Sequence, residues 1–246
     1  MKPLKIFATI SVVTAMLFLT SCNSGDDKKA GETVTDTLTG NKDSVPPPPP
    51  PTPSGPTSMM VIKHKVANYA KWKPYYDADD SSRQSYGLHN YVVARGTEDS
   101  NMILIALRMD DVTKAKQMAA SPALKAFMKK AGVTGTPTVD FVEAVYSDAT
   151  PSPATVRVLV KHKVKDWDAW KKSFDSHKQA RIDAGLADRV ISHSVDNNKD
   201  VSLVFGITDA EKAKAFMNSQ DLKDKMKEAG VDGPPSFFYY KVVERH

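Results

Sequence analysis

Lys63-His64-Lys65-Val66 returns further along the chain as Lys161-His162-Lys163-Val164, and the offset between the two continues without a gap. It pairs Trp72 with Trp170, Asp77 with Asp175, Arg83 with Arg181 and Gly87-Leu88 with Gly185-Leu186. It runs on through Lys114-Ala115-Lys116 and Lys212-Ala213-Lys214. It closes with Ala131-Gly132-Val133 against Ala229-Gly230-Val231 and Pro137 against Pro235. Ungapped agreement over that length marks an internal repeat. A tandem duplication is expected, with copies at 59–147 and 155–246 and a linker at 148–154.

In the second copy, Val156–Val164 alternates Val158, Val160, His162 and Val164 on one face with Arg157, Leu159, Lys161 and Lys163 on the other, which predicts a strand. Asp166 is placed to cap a helix whose Trp167, Trp170 and Phe174 share a stripe, ending near Gly185. Arg189–Ser192 and Val201–Gly206, split by Asp196-Asn197-Asn198-Lys199, read as a hairpin. Asp209 and then Ser219 offer caps for the next helical stretch, Gly230 ends it, and Phe237–Val243 reads as the last strand. The first copy follows the same plan, with Ser121-Pro122 at a helical start. Each copy is therefore βαββαβ, the ferredoxin-like arrangement, whose helices cover one face of a four-stranded sheet and leave the other bare. The expected class is α+β: two tandem ferredoxin-like βαββαβ repeats packed sheet to sheet as a pseudo-dimeric α/β barrel.

On these residues the chain resembles the dimeric α/β-barrel superfamily, as a fused pseudo-dimer over residues 59–246. The pattern Asp209…Lys212-Ala213…Ser219…Leu222…Met226…Ala229-Gly230-Val231 is similar to small bacterial proteins grouped near the antibiotic-biosynthesis-monooxygenase domains. The resemblance implies the fold and leaves the activity open. That superfamily includes cofactor-free oxygenases, haem-degrading enzymes, decarboxylating cyclases and proteins of no known activity.

Ahead of the repeat, residues 1–22 place Lys2 and Lys5 before an apolar run from Ile6 to Leu19, the layout of a secretory signal. Leu19-Thr20-Ser21-Cys22 resembles the lipobox of bacterial lipoproteins, which implies cleavage before Cys22 and lipidation of that residue. The partner expected there is the membrane, held through acyl chains that each contribute about 0.8 kcal/mol per buried CH₂. Residues 23–58 read as a disordered, proline-rich tether whose run Pro46 to Pro51 favours an extended polyproline II spacer. Asp26-Asp27 resembles the acidic export signals of some Gram-negative lipoproteins. The expected location is the bacterial envelope, at the outer membrane or cell surface rather than the inner membrane.

Composition narrows the chemistry. Cys22 is the chain's one cysteine, which excludes a disulfide scaffold and any multi-cysteine metal site. A net charge of +5 is too mild to argue for nucleic acid, and none is expected as a partner. No phosphate loop, nucleophile elbow or metalloprotease helix motif occurs, so neither a cofactor nor a metal is assigned. The chain is expected to be monomeric, its two halves serving as each other's partner.

His64 and His162 are the candidate catalytic pair, each on a first, central strand beside aliphatic neighbours. If that face lines the barrel, the imidazoles approach each other as a ligand-binding pair or general base. If it faces the helices, each is a core histidine. Lys63 and Lys161 occupy the opposite face and are candidate ligand-binding residues, together with Arg95 and His193, which share one repeat position. His89 and Tyr91, found in the first copy alone, complete the set and tilt the site toward that copy. Trp72 and Trp170 read as core. Arg83 and Arg181 are expected to pair with Asp77 and Asp175. Three readings follow: a lipid-anchored protein binding a small apolar or anionic ligand between its sheets, a cofactor-independent monooxygenase or isomerase using a barrel histidine, and a haem-binding protein.

Overall fold

The computed structural model describes residues 57–246. The expected signal segment, Cys22 and all but the last two residues of the expected tether lie outside the described residues. The first half runs β1 (Thr57–Val66), α1 (Tyr69–Ala78), α2 (Asp80–Ser85), β2 (Leu88–Gly96), β3 (Met102–Met109), α3 (Val112–Ala120), α4 (Pro122–Lys130) and β4 (Val133–Ser147). The second runs β5 (Val156–Val164), α5 (Trp167–Ser176), α6 (Lys178–Asp183), β6 (Leu186–Ser194), β7 (Asp200–Ile207), α7 (Ala210–Asn218), α8 (Gln220–Glu228) and β8 (Val231–Arg245).

Caps explain most of these bounds. The side chains of Asn68, Asp111, Asp166 and Asp209 accept backbone N–H groups at the starts of α1, α3, α5 and α7. Ser121 and Ser219 then restart the chain as α4 and α8, accepting from Leu124 and Leu222 at 3.1 Å each. The first helical stretch of each half is likewise two pieces, divided at Asp79 and His177.

Two expected boundaries move. β1 begins at Thr57, inside the expected tether, because Thr57 and Ser58 find partners in Ala144 and Glu143. The last strand extends well beyond Phe237–Val243. It starts directly after Gly230, whose φ of 77° turns the chain, and it tolerates Pro234-Pro235 because pairing with β5 shifts register between Lys161 and Lys163. A proline in that bulge removes no ladder hydrogen bond.

All eight strands form one closed, antiparallel barrel in the order β1-β3-β2-β8-β5-β7-β6-β4. β1 lies between β3 and β4, and β5 between β7 and β8, the central places expected for the two first strands. The halves do more than face each other. β2 pairs with β8 and β4 with β6, so the four edges of the two sheets are hydrogen-bonded and no edge is left open. Three apolar clusters follow. One fills the barrel (Met59, Tyr91, Ala94, Leu104, Ala106, Val142, Leu159, Tyr240), and one lies under the helices of each half, around Trp72 and around Trp170.

Candidate functional site

Alternation along β1 and β5 sends Met59, Val61 and Leu159 into the barrel and Met60, Val66, Val158 and Val164 toward the helices. His64 and His162 share the second set. They do not meet at the barrel axis, and the paired-imidazole arrangement is excluded. Each instead lies against a core tryptophan, His64 at 5.6 Å from Trp72 and His162 at 5.5 Å from Trp170 between ring centroids. All four ring nitrogens are closed off from solvent and have no hydrogen-bond partner in the protein. Burial lowers both pKa values to about 4, so both imidazoles are neutral at pH 7.

That burial predicts a pH dependence of stability. The unfolded chain binds protons at these histidines near pH 6.5, whereas the folded chain resists them until about pH 4. Stability is therefore full above pH 6.5 and falls as pH drops through that window, by on the order of 3 kcal/mol per histidine. Thermal melts from pH 7 to pH 4.5 should show the decline. His64→Phe and His162→Phe should each flatten part of it, and an unchanged slope in both variants contradicts the assignment.

The two halves differ in the space beside these histidines. Under the first-half helices, the cavity touching His64 measures about 60 Å³. Under the second-half helices, the cavity touching His162 measures about 360 Å³, lined by Trp170, Phe174, Phe216, Met226, Pro235 and Phe237 among others. Repeat positions explain the difference. In the first half the exposed Tyr75 meets Phe127, at the cavity wall, edge to face with ring centroids 6.5 Å apart. Their counterparts at the same offset are Ser173 and Lys225, both at the cavity wall, and neither supplies a ring. Met60 and Ile62 are also matched by the smaller Val158 and Val160. The larger cavity is therefore in the second half, whereas His89 and Tyr91 had pointed to the first. Ser173 and Lys225 were not singled out from the sequence, although their mismatch with Tyr75 and Phe127 was readable there.

The remaining candidates scatter. Tyr91 and Lys161 line a space of about 60 Å³ inside the barrel, where side chains fill most of the volume. Lys161 reaches across to Asp140 at 2.7 Å, and Lys63 lies 5.2 Å from the Phe238 ring centroid. Arg95 stacks over Tyr69 at 4.2 Å and donates to the Ser100 carbonyl, and His193 stands edge-on to Trp167 at 4.7 Å. His89 is exposed and pairs with Asp110 at 2.8 Å. These six therefore form no common site: Tyr91 and Lys161 border the interior, Arg95 and His193 lie against helix aromatics because the register shifts in β2 and β6 change which side odd positions face, and His89 is exposed.

Arg83 and Arg181 form ion pairs, but with other partners than expected. Asp77 and Asp175 go to Lys73 and Lys171 one helical turn earlier. Arg181 binds both Asp188 oxygens, at 2.8 and 2.7 Å, while lying 3.6 Å from the centroid of Phe174. Arg83 takes Asn90 at 3.2 Å and Asp80 at 3.3 Å. Both guanidiniums brace the floor of their half's cavity.

No protein-family model matches the chain, and no curated protein matches its sequence. Solved structures do match over most of the barrel. A candidate monooxygenase of Fusobacterium nucleatum subsp. nucleatum superposes with a TM-score of 0.51 at 11% identity, covering 77% of this chain and 94% of that one. An anthrone oxidase-like protein gives 0.50 at 14% identity, over 77% and 92%. A candidate chlorite dismutase gives 0.47 at 11%, over 78% and 96%. At these identities the likeness is one of fold: the chain has the ferredoxin-like, dimeric α/β-barrel fold of these proteins.

Proposed function

We propose that the protein binds a small, uncharged, mainly apolar molecule between the sheet and helices of its second half, beside His162. We further propose that the barrel arose by fusion of a duplicated gene and is carried from a bacterial envelope membrane by lipid on Cys22. The observation that carries the binding reading is the cavity of about 360 Å³ present in one half and plugged in the other. Volumes of that order suit a small organic ligand lined mainly by apolar side chains with a few polar groups to orient it. The wall also carries Ser173, His177, Arg181, Asn218, Lys223 and Lys225; His162, neutral and with both ring nitrogens unpartnered, is the group suited to one hydrogen bond from a hydroxyl or to a carbonyl.

Titration with N-phenyl-1-naphthylamine, an uncharged apolar dye, tests this. Saturable binding with one dye per chain is expected, and binding that is absent or unsaturable refutes the reading. Addition of haemin serves as a second arm, since a Soret shift lost in His162→Ala would favour the haem reading instead.

The same neutral imidazole favours one alternative, a cofactor-independent monooxygenase or isomerase in which His162 removes a proton from an activated C–H or O–H. Its pKa of about 4 argues against that role, because a general base works best with a pKa near the operating pH. Oxygen uptake by the purified barrel with a quinol substrate, lost in His162→Ala, would establish the enzyme reading over simple binding.

The anchor has its own test. Labelled palmitate is expected to enter the full-length protein in a Gram-negative host, and Cys22→Ser should remove the label and release the protein from membranes. Label retained in that variant overturns the lipoprotein assignment.

A further inference from the structure

At the end of the barrel where β1 and β5 begin, the inner face turns basic. Arg157 on β5 is half-buried and paired across the ladder with Tyr240 of β8, both bordering the interior space. Tyr240 is almost fully buried, and burial pushes its phenol up to about 12, so it stays protonated. Arg108 lies 4.2 Å from the centroid of Tyr91, and Arg245 lies 5.4 Å from it while donating to the Tyr91 hydroxyl at 3.3 Å. The two carboxylates bordering the interior are already taken. Asp148 binds Arg189 at 2.7 Å, and Asp140 binds Lys161 at 2.7 Å. Arg157, Arg108 and Arg245 are therefore without an ion-pair partner among the described residues.

Packing does not demand this surplus. At the matching repeat positions the first half carries Met59 for Arg157 and Val142 for Tyr240, and both are well buried in the barrel core. A half-buried guanidinium with no carboxylate in ion-pair contact is costly to desolvate; Asp148 attracts it from farther off while held by Arg189, and Arg245 and Arg189 add repulsion. Where an apolar side chain serves on the symmetric side, retention of that charge indicates a ligand. Guanidinium forks match the planar, two-oxygen geometry of carboxylates and phosphates.

We infer that this end of the barrel is an anion-binding site, in which Arg157, supported by Arg245 and Arg108, takes the carboxylate or phosphate group of a small molecule. The space of about 60 Å³ against which Arg157 and Tyr240 lie admits such a group and little more. Any larger remainder of the ligand has to extend out of the mouth. The site lies inside the barrel, whereas the apolar cavity proposed above lies outside it under the second-half helices, so either proposal stands without the other.

Thermal melts of the folded protein test it, with inorganic phosphate in one arm, succinate in another, and sodium chloride at matched ionic strength as reference. A rise of about 3 °C in either anion arm is expected at roughly ten times Kd, growing with the logarithm of concentration, and the responding arm identifies the oxyanion. Arg157→Met, which installs the residue of the first half, should abolish that rise. Arg157→Lys, which keeps the charge without the fork, should weaken the anion at least tenfold. Arg245→Gln guards against a folding defect in either variant and should also reduce the rise. No rise over chloride overturns the proposal, as does an equal rise in wild type and Arg157→Met, which would mark general screening. Dye binding measured on the same samples keeps failure here separate from failure of the apolar site.

Discussion

Ser173→Tyr combined with Lys225→Phe is expected to end uptake of N-phenyl-1-naphthylamine, weakening its apparent Kd more than tenfold, without lowering the melting temperature. The first half supplies the reason, since Tyr75 and Phe127 already occupy these places on the same backbone plan and meet edge to face at 6.5 Å. Two added rings remove the space that the dye needs, and a loss of only 1.4 kcal/mol in binding is tenfold. Partial burial of the ring at 225, with a smaller contribution from the ring at 173, whose counterpart Tyr75 is 39% exposed, contributes on the order of 1–2 kcal/mol and offsets the loss of two solvated polar ends. The converse pair, Tyr75→Ser with Phe127→Lys, should open the His64 cavity and create a second dye site. Undiminished binding in the plugged variant would place the dye elsewhere and remove the main support for the apolar-ligand reading.

Arg181→Met should cost about 3–5 kcal/mol of stability, and Arg83→Met clearly less. Both guanidiniums are buried, lie over an aromatic ring and donate to a backbone carbonyl of the preceding helix. The difference is the partner in β6 or β2. Arg181 faces Asp188, whose side chain is only 10% exposed, whereas the matching position in the first half is the neutral Asn90. Removing Arg181 strands a buried carboxylate, the situation in which breaking an ion pair is most damaging. Removing Arg83 strands the Asn90 amide and loosens Asp79 and Asp80, which at 17% and 39% exposed keep more solvent than Asp188, so the cost is about 1–3 kcal/mol. Urea unfolding at pH 7 measures both. Arg181→Met with Asp188→Leu should recover much of the loss, and equal costs for the two single variants would contradict the stranded-charge account.

Much of this arrangement was legible beforehand, for identifiable reasons. Caps are local, so Asp166, Asp209 and Ser219 could be placed from their neighbours alone. The strand at Val156–Val164 was readable because alternation is a property of consecutive residues. Pairings that cross between elements were not readable. Arg181 was expected on Asp175, which a helix turn gives to Lys171, and its actual partner Asp188 comes within reach only after the chain turns at Gly185. Nor could β8 be drawn through Pro234-Pro235, since the bulge that excuses two prolines belongs to the pairing with β5.

What the sequence determined by itself is the plan: two successive βαββαβ stretches, their helix caps, and the fact that His64 and Lys63, like His162 and Lys161, point to opposite sides of a strand. Period-two alternation separates two faces but carries no sign saying which is inner, because that depends on where the helices lie. Only closure of the barrel decided it, turning the histidines toward the helices and the lysines toward the interior. Tertiary structure alone also brought Tyr75 onto Phe127 in one half and set Ser173 and Lys225 at a cavity wall in the other. A cavity is a property of residues distant in sequence that fail to meet in space.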